Sequence, residues 1–186
     1  MADEAELIER TARGDRAAFA VLVQRWRDPL FRYLRSVVPP QAAEDALQET
    51  FLAVFRGAGG WRGGSARGWL FGIARRKAAR QRRRRAGEPA HTEPLEVLGG
   101  AAGWGTTRDP EELASALEDR ARLQAALDGL SEEDREVIVL KDLEQLTNPE
   151  LAELLDLSLA AVKSRLHRAR LRLMAELTQE ASHART

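Results

Sequence analysis

The stretch Thr147–Arg172, TNPELAELLDLSLAAVKSRLHRARLR, decides the fold. Thr147 and Glu150 stand at the spacing of a reciprocal capping box that opens a helix. Pro149 falls in the first turn, where its missing N–H costs little. Leu151, Leu154 and Leu155 give this helix an apolar face. Asp156 stands where the chain must reverse; Gly is the usual choice there, but Asp tolerates left-handed backbone better than most residues. Ser158 then caps a second helix, along which Val162, Leu166, Ala169 and Leu173 recur as one buried stripe. Lys163, Ser164, His167 and Arg168 lie away from that stripe, with Arg170 and Arg172 further along. No carboxylate occurs between Asp156 and Glu176. The pattern is a helix-turn-helix whose second helix offers hydrogen-bond donors to the major groove. A helical hairpin with a solvated basic face is the plainer alternative. The capped turn and the acid-free face together favour DNA.

The whole chain supports a polyanion partner only through segregation of charge. Its 186 residues hold 29 basic and 29 acidic side chains, so the net charge is zero. The basic residues nevertheless cluster in two places and the acidic ones in two others, and clustering is what matters for nucleic acid. The absence of Cys excludes disulfides and thiolate metal sites. His91, His167 and His183 are scattered, so no metal site and no cofactor is expected. No apolar run is long enough to span a bilayer, and Met1–Arg13 is too acidic and polar for a signal peptide. The expectation is a soluble, cytoplasmic protein.

In the N-terminal half, Leu7, Ile8 and Ala12 open a short helix that ends at Gly14. Asp15 caps the next, through Phe19, Leu22, Val23 and Trp26. Asp28–Pro29 reads as a cap and first residue of a further helix carrying Leu30, Leu34 and Val37. Gln41–Arg56, QAAEDALQETFLAVFR, follows, with Leu47, Phe51, Val54 and Phe55 on its core face. Glu44, Asp45, Gln48 and Glu49 crowd its outer side. Without a His or a third acid nearby, these carboxylates suit a solvated face or a dock for a basic partner better than catalysis. Gly57–Arg67, GAGGWRGGSAR, lacks the GK[ST] of a phosphate-binding loop and instead offers Trp61 to an unstacked base, or folds it onto the core. Trp69–Arg85 turns from an aromatic anchor to a run of arginines, among them Arg75, Arg76 and Arg80, a polyanion-binding composition.

Residues 87–108 lose helical periodicity and hold Pro89, Pro94 and a Gly99–Gly100 pair, the composition of an interdomain linker. Its apolar Leu95, Val97, Leu98 and Trp104 are unusual for a spacer. Asp109–Pro110 restarts a helix that ends at Asp128–Gly129, and Ser131 opens another carrying Val137, Ile138 and Leu140. No strand pattern occurs anywhere. The expected fold is all-α, with two small helical domains, residues 1–86 and 109–186, joined by a flexible linker and the second ending in the helix-turn-helix.

Two segments together resemble a known family. LSEEDREVIVLKDLEQLTNPELAELLDLSLAAVKSRLHRARLRL resembles the fourth conserved region of bacterial RNA polymerase sigma factors, and AAEDALQETFLAVF followed by GWLFGIARRKAARQRRRR resembles the second. Their order and the short join resemble the extracytoplasmic-function group. The resemblance implies that the helix with Asp45, Gln48 and Glu49 docks on the clamp coiled coil of core polymerase. It implies that Trp61, Arg75, Arg76 and Arg80 engage and melt the minus-ten element, and that Lys163, Ser164, His167 and Arg168 read the minus-thirty-five element. It implies that the C-terminal domain sits on the flap of the second-largest subunit, and that an anti-sigma factor is a partner able to hold the chain at the membrane. No enzymatic activity is implied. Family members commonly carry Gly-Thr where this chain has Ala160–Ala161, Gly at Asp156 and Asn at Arg76. A free-standing repressor or activator would explain the helix-turn-helix but leave the acidic helix, the Trp61 loop and the arginine helix without a task. A nucleic-acid enzyme would lack a nucleophile or metal cluster.

Overall fold

The computed structural model describes residues 3–84 and 110–183. Among them the chain forms eight α-helices and no strand. The N-terminal bundle contains α1 (Glu4–Ala12), α2 (Arg16–Val37), α3 (Pro40–Gly57) and α4 (Ala66–Arg84); the C-terminal one contains α5 (Pro110–Asp128), α6 (Glu132–Ile138), α7 (Asn148–Leu155) and α8 (Leu159–His183). The expected linker, residues 87–108, lies outside the described residues.

The N-terminal core forms around α2. Leu22, Leu30, Tyr33 and Leu34 are fully buried and Trp26 nearly so, a continuous stripe at helical spacing. This stripe corrects the expected break at Asp28–Pro29: α2 runs unbroken, with Pro29 inside it. A proline in a helix interior costs about 3 kcal/mol, and burying apolar side chains on both sides of it outweighs that. Asp15 caps α2, its carboxylate accepting from the N–H groups of Ala17 and Ala18 at 2.9 and 3.0 Å. Small residues on α3, Ala42, Ala43 and Ala46, are buried in the same core. Phe71 of α4, fully buried, meets Trp26 and Tyr33 edge-on at ring separations of 6.0 and 5.5 Å.

The helix-turn-helix forms as its sequence dictates. Thr147 and Glu150 make the full capping box, with the Thr147 N–H donating to the Glu150 carboxylate at 2.6 Å. Asp156 adopts left-handed backbone at φ 55°. Ser158 accepts from the Ala161 N–H at 3.1 Å and starts α8. Val162, Leu166 and Ala169 are buried and Leu173 half-buried. Between α6 and α7 the backbone widens into one π turn, Val139–Leu143, and reverses at Gln145, the other non-glycine residue with positive φ among those described.

The two bundles pack against each other, α2 on α6 and α4 on α7.

Candidate nucleic-acid interface

On α8 the buried stripe fixes which side chains face outward. Lys163, Ser164, His167 and Arg168 are all exposed, and among the described residues no hydrogen bond or ion pair holds their side chains. The other arginines of the helix are committed to acids of their own domain. Arg165 lies 3.4 Å from Glu133, Arg170 pairs with Asp142, and Arg172 pairs with the buried carboxylate of Asp134. The Arg170 guanidinium is held above its usual value by the hydrogen bond and charge of Asp142. The sequence pattern shows one basic face; the structure divides it into four open donors near the start of the helix and anchored arginines on its flank and beyond. The open set is the one placed to reach base edges when the N-terminal end of a recognition helix enters the groove.

On α3, Asp45 and Gln48 are exposed, with Glu44 beside them. Glu49 is half-buried and lies 3.7 Å from Lys77 of α4. Leu52 is 54% exposed and Phe55 39%. Asp45, Gln48, Leu52 and Phe55 recur at helical spacing and make one outward stripe, acidic at one end and apolar at the other. This corrects the assignment of Phe55 to the core face, although its ring still meets Phe19 edge-on at 5.0 Å. Leu52 was missed; its signal was an apolar residue standing off the buried stripe.

The glycine-rich loop folds back through left-handed Gly63 and Gly64 to place Ser65 as the cap of α4, accepting from the Gly68 N–H at 2.9 Å. Trp61 is half-buried against the core, and its indole N–H is buried without a partner. Its edge lines a cleft of about 550 Å³, shared with Trp69, Arg75, Arg76, Glu150 and Leu154. Arg76 and Arg80 are exposed and line a second cleft of about 460 Å³ on the other side of α4. Arg75 differs from them: its Nε donates to Glu136 at 3.1 Å. The structure thus brings Trp61, Arg75 and Arg76 to one cleft, with Arg80 at the next.

Among the described residues no group of His, Cys, Asp and Glu is placed to hold a metal ion, and no helix is long and apolar enough to cross a membrane. The cleft residues supply cations and rings, and α8 supplies neutral and cationic donors, a combination suited to phosphates and bases.

Comparison with known proteins places both bundles in one family. Residues 22–88 match Sigma-70 region 2 and residues 120–173 match Sigma-70, region 4. The chain is 30% identical to the ECF RNA polymerase sigma-E factor of Salmonella typhimurium, over 88% of each protein. It is 30% identical to the RNA polymerase sigma-H factor of Pseudomonas aeruginosa, over 89% of each. Among solved structures, CnrH in complex with the cytosolic domain of CnrY superposes with a TM-score of 0.70 at 28% identity, covering 95% of this chain and 99% of that one. The sigma factor RpoE of Bartonella quintana, in complex with the anti-sigma factor NepR, shares the fold with a TM-score of 0.68 at 23% identity, covering 86% and 96%. A chain matched in both regions and nearly end to end belongs to the extracytoplasmic-function sigma factors, the subunits that bind core RNA polymerase and direct transcription initiation at promoters.

Proposed function

We propose that the three outward faces divide the work of this sigma factor. The α3 stripe with Asp45, Gln48 and Glu49 docks on the clamp of core polymerase, and Leu52 adds an apolar anchor to it. Trp61, Arg75, Arg76 and Arg80 hold the non-template strand of the minus-ten element once it is separated. Lys163, Ser164, His167 and Arg168 read the minus-thirty-five element, with the C-terminal domain seated on the flap. The chain acts as a non-catalytic specificity subunit in the cytoplasm. An anti-sigma factor, such as NepR is for the Bartonella protein, is its proposed regulator.

The observation that carries this reading is the sorting of cations on α8. Four donors find no partner among the described residues, while three neighbouring arginines are each paired with an acid. A merely solvated basic face has no reason to divide in that way. The test is transcription by core polymerase with this chain on a promoter library randomised in both elements. The expected result is a stable complex with core and a selected two-part promoter. Failure to bind core, combined with specific duplex binding by the chain alone, would overturn the division of roles.

A further inference from the structure

The first turn of α8 carries apolar side chains where the rest of its outer face carries donors. Ser158 caps the helix, its hydroxyl accepting from the Ala161 N–H at 3.1 Å and its carbonyl from the Val162 N–H at 2.9 Å. Leu159 and Ala160 follow as the first two helical residues. Leu159 is 49% exposed, and Ala160 is exposed. Helical register decides where they point. At about 100° per residue, Ala160 stands about 160° round the helix from the buried Val162, on the side of Ser164 and His167. Leu159 stands about 40° from Lys163, one turn nearer the start of the helix.

An exposed leucine on its own needs no explanation, because much of any protein surface is apolar. Position singles this one out. From Ala160 to Arg168 the helix rises about 12 Å, close to the width of the major groove. A recognition helix that enters the groove by its N-terminal end carries its first turn in with the donors. Leu171, also exposed on the outer face, lies about 18 Å beyond Leu159 along the axis, where the helix has left the groove. The side chains of Leu159 and Ala160 neither donate nor accept hydrogen bonds. Of the groups that base pairs display in the major groove, the thymine C5-methyl is the one an apolar side chain can hold. Against a polar base edge the same side chains would only remove water that nothing replaces.

We propose that Leu159 and Ala160 form a methyl-reading pair that selects thymine at the edge of the upstream element, beside the base addressed by Lys163. This rests on the reading role proposed above for the α8 donors and adds a contact of another chemistry. The donors discriminate by hydrogen bonds. The pair discriminates by taking one methyl group out of water. It therefore separates thymine from uracil, and 5-methylcytosine from cytosine, whose hydrogen-bonding edges are alike.

The test is promoter binding by this chain with core polymerase, on the promoter selected above. Each thymine of the upstream element is replaced in turn, on either strand, by deoxyuridine, which lacks only the methyl group. The position beside the base whose preference changes in Lys163→Ala is expected to lose affinity roughly fourfold, the effect of exposing about one methylene-sized group. In Leu159→Ala and in Ala160→Gly the ratio between thymine and deoxyuridine at that position should fall toward one. Leu159→Met, which keeps an apolar contact, should retain it, and Leu171→Ala should leave it unchanged. The ratio is taken within one protein, so a change in stability cancels, and alanine at 159 is a strong helix former that keeps the first turn. An element with no thymine at that edge, a wild-type ratio of one, or a ratio unchanged in both Leu159→Ala and Ala160→Gly would overturn the inference. So would a ratio that falls as far in Leu171→Ala as in Leu159→Ala. If Lys163→Ala and Arg168→Ala leave base preference untouched, the reading role itself fails and the methyl contact with it. If they shift preference while deoxyuridine costs nothing, only the methyl contact fails.

Discussion

The Arg170 guanidinium straddles the Asp142 carboxylate, Nε to Oδ2 at 3.0 Å and Nη2 to Oδ1 at 2.5 Å. Two residues earlier on the same helix, Arg168 is exposed and pairs with no acid among the described residues. The two arginines therefore predict different phenotypes. Arg168→Ala should relax preference at one or two positions of the upstream element, because a guanidinium paired bidentately with guanine is worth about 1–3 kcal/mol of discrimination. Arg170→Ala should leave base preference unchanged and lower stability by about 0.5 kcal/mol or less, since both partners are at least a third exposed and solvent screens the pair. Transcription from a library randomised in the upstream element reads the first, and urea unfolding the second. A uniform loss over all promoters in Arg168→Ala would remove its reading role.

The docking stripe yields a second contrast. Asp45→Lys reverses a charge on an exposed position and is expected to weaken core binding while helix content stays constant. Leu52→Ala, at a position already 54% exposed, should leave stability nearly unchanged yet also weaken core binding. Glu49→Lys is the less informative change, because it also disturbs Lys77 across α3 and α4. Affinity for core polymerase, measured beside circular dichroism, checks all three. Unaltered core affinity in both Asp45→Lys and Leu52→Ala would place the dock elsewhere.

Trp61 combines two roles that substitutions can separate. Its buried indole N–H without a partner carries a desolvation cost of about 1–3 kcal/mol. Trp61→Phe removes that group and retains a ring. It should hold or raise the melting temperature and retain most promoter opening, because stacking on a base needs only a π face. Trp61→Ala should lose both. Normal opening by Trp61→Ala would show that the ring serves packing alone.

The local chemistry of the helices was legible in the sequence; their relations across the chain were not. The Thr147 capping box, the Ser158 cap, the Asp15 cap and the stripe Val162, Leu166 and Ala169 depend on residues within a few positions of each other, and all stand as read. Pro29 misled because helix continuity there is decided by tertiary burial of the α2 stripe, which overrides the local cost. Phe55 misled because its outward angle on α3 differs little from that of the buried positions beside it. The pairing of Arg172 with Asp134 and of Arg75 with Glu136 joins residues 38 and 61 positions apart. Nothing in a run of arginines says which of them an acid will claim.

Backbone strain gives a fourth prediction. Gln145 and Asp156 both hold left-handed backbone, at φ 57° and 55°. A left-handed conformation costs an ordinary L-residue roughly 1–2 kcal/mol, and Asp less because its short side chain bonds locally. Gln145→Gly should therefore stabilise the chain by about 0.5–1 kcal/mol after the greater freedom of glycine in the unfolded state is subtracted. Asp156→Gly should gain less. Urea midpoints for the two variants check the order. A larger gain at Asp156 would mean that Gln145 is relieved of strain by contacts its exposure does not suggest.

The last prediction concerns acid. Two carboxylates at the boundary between the bundles shift in opposite directions. Burial pushes Glu144 above its usual value, and the hydrogen bonds from Arg32 at 3.0 and 3.2 Å do not fully offset it. Burial also acts on Glu150, but the hydrogen bonds from Ser65 and from the Thr147 N–H and hydroxyl outweigh it and hold this group below its usual value. For Glu150 the folded value lies below the unfolded one, so its contribution is complete above the ordinary Glu range and is lost as pH falls through that range. For Glu144 the folded value lies above the unfolded one, so the folded chain takes up its proton first and gains stability as pH falls. Each variant should therefore remove one limb. Glu150→Gln should flatten the loss of stability toward acid, and Glu144→Gln should steepen it while raising stability at neutral pH, where an ionised and buried Glu144 is a net cost. Urea unfolding of the full chain across the acid range reads both slopes. A Glu144→Gln variant less stable at neutral pH would show that the pair with Arg32 returns more than burial takes.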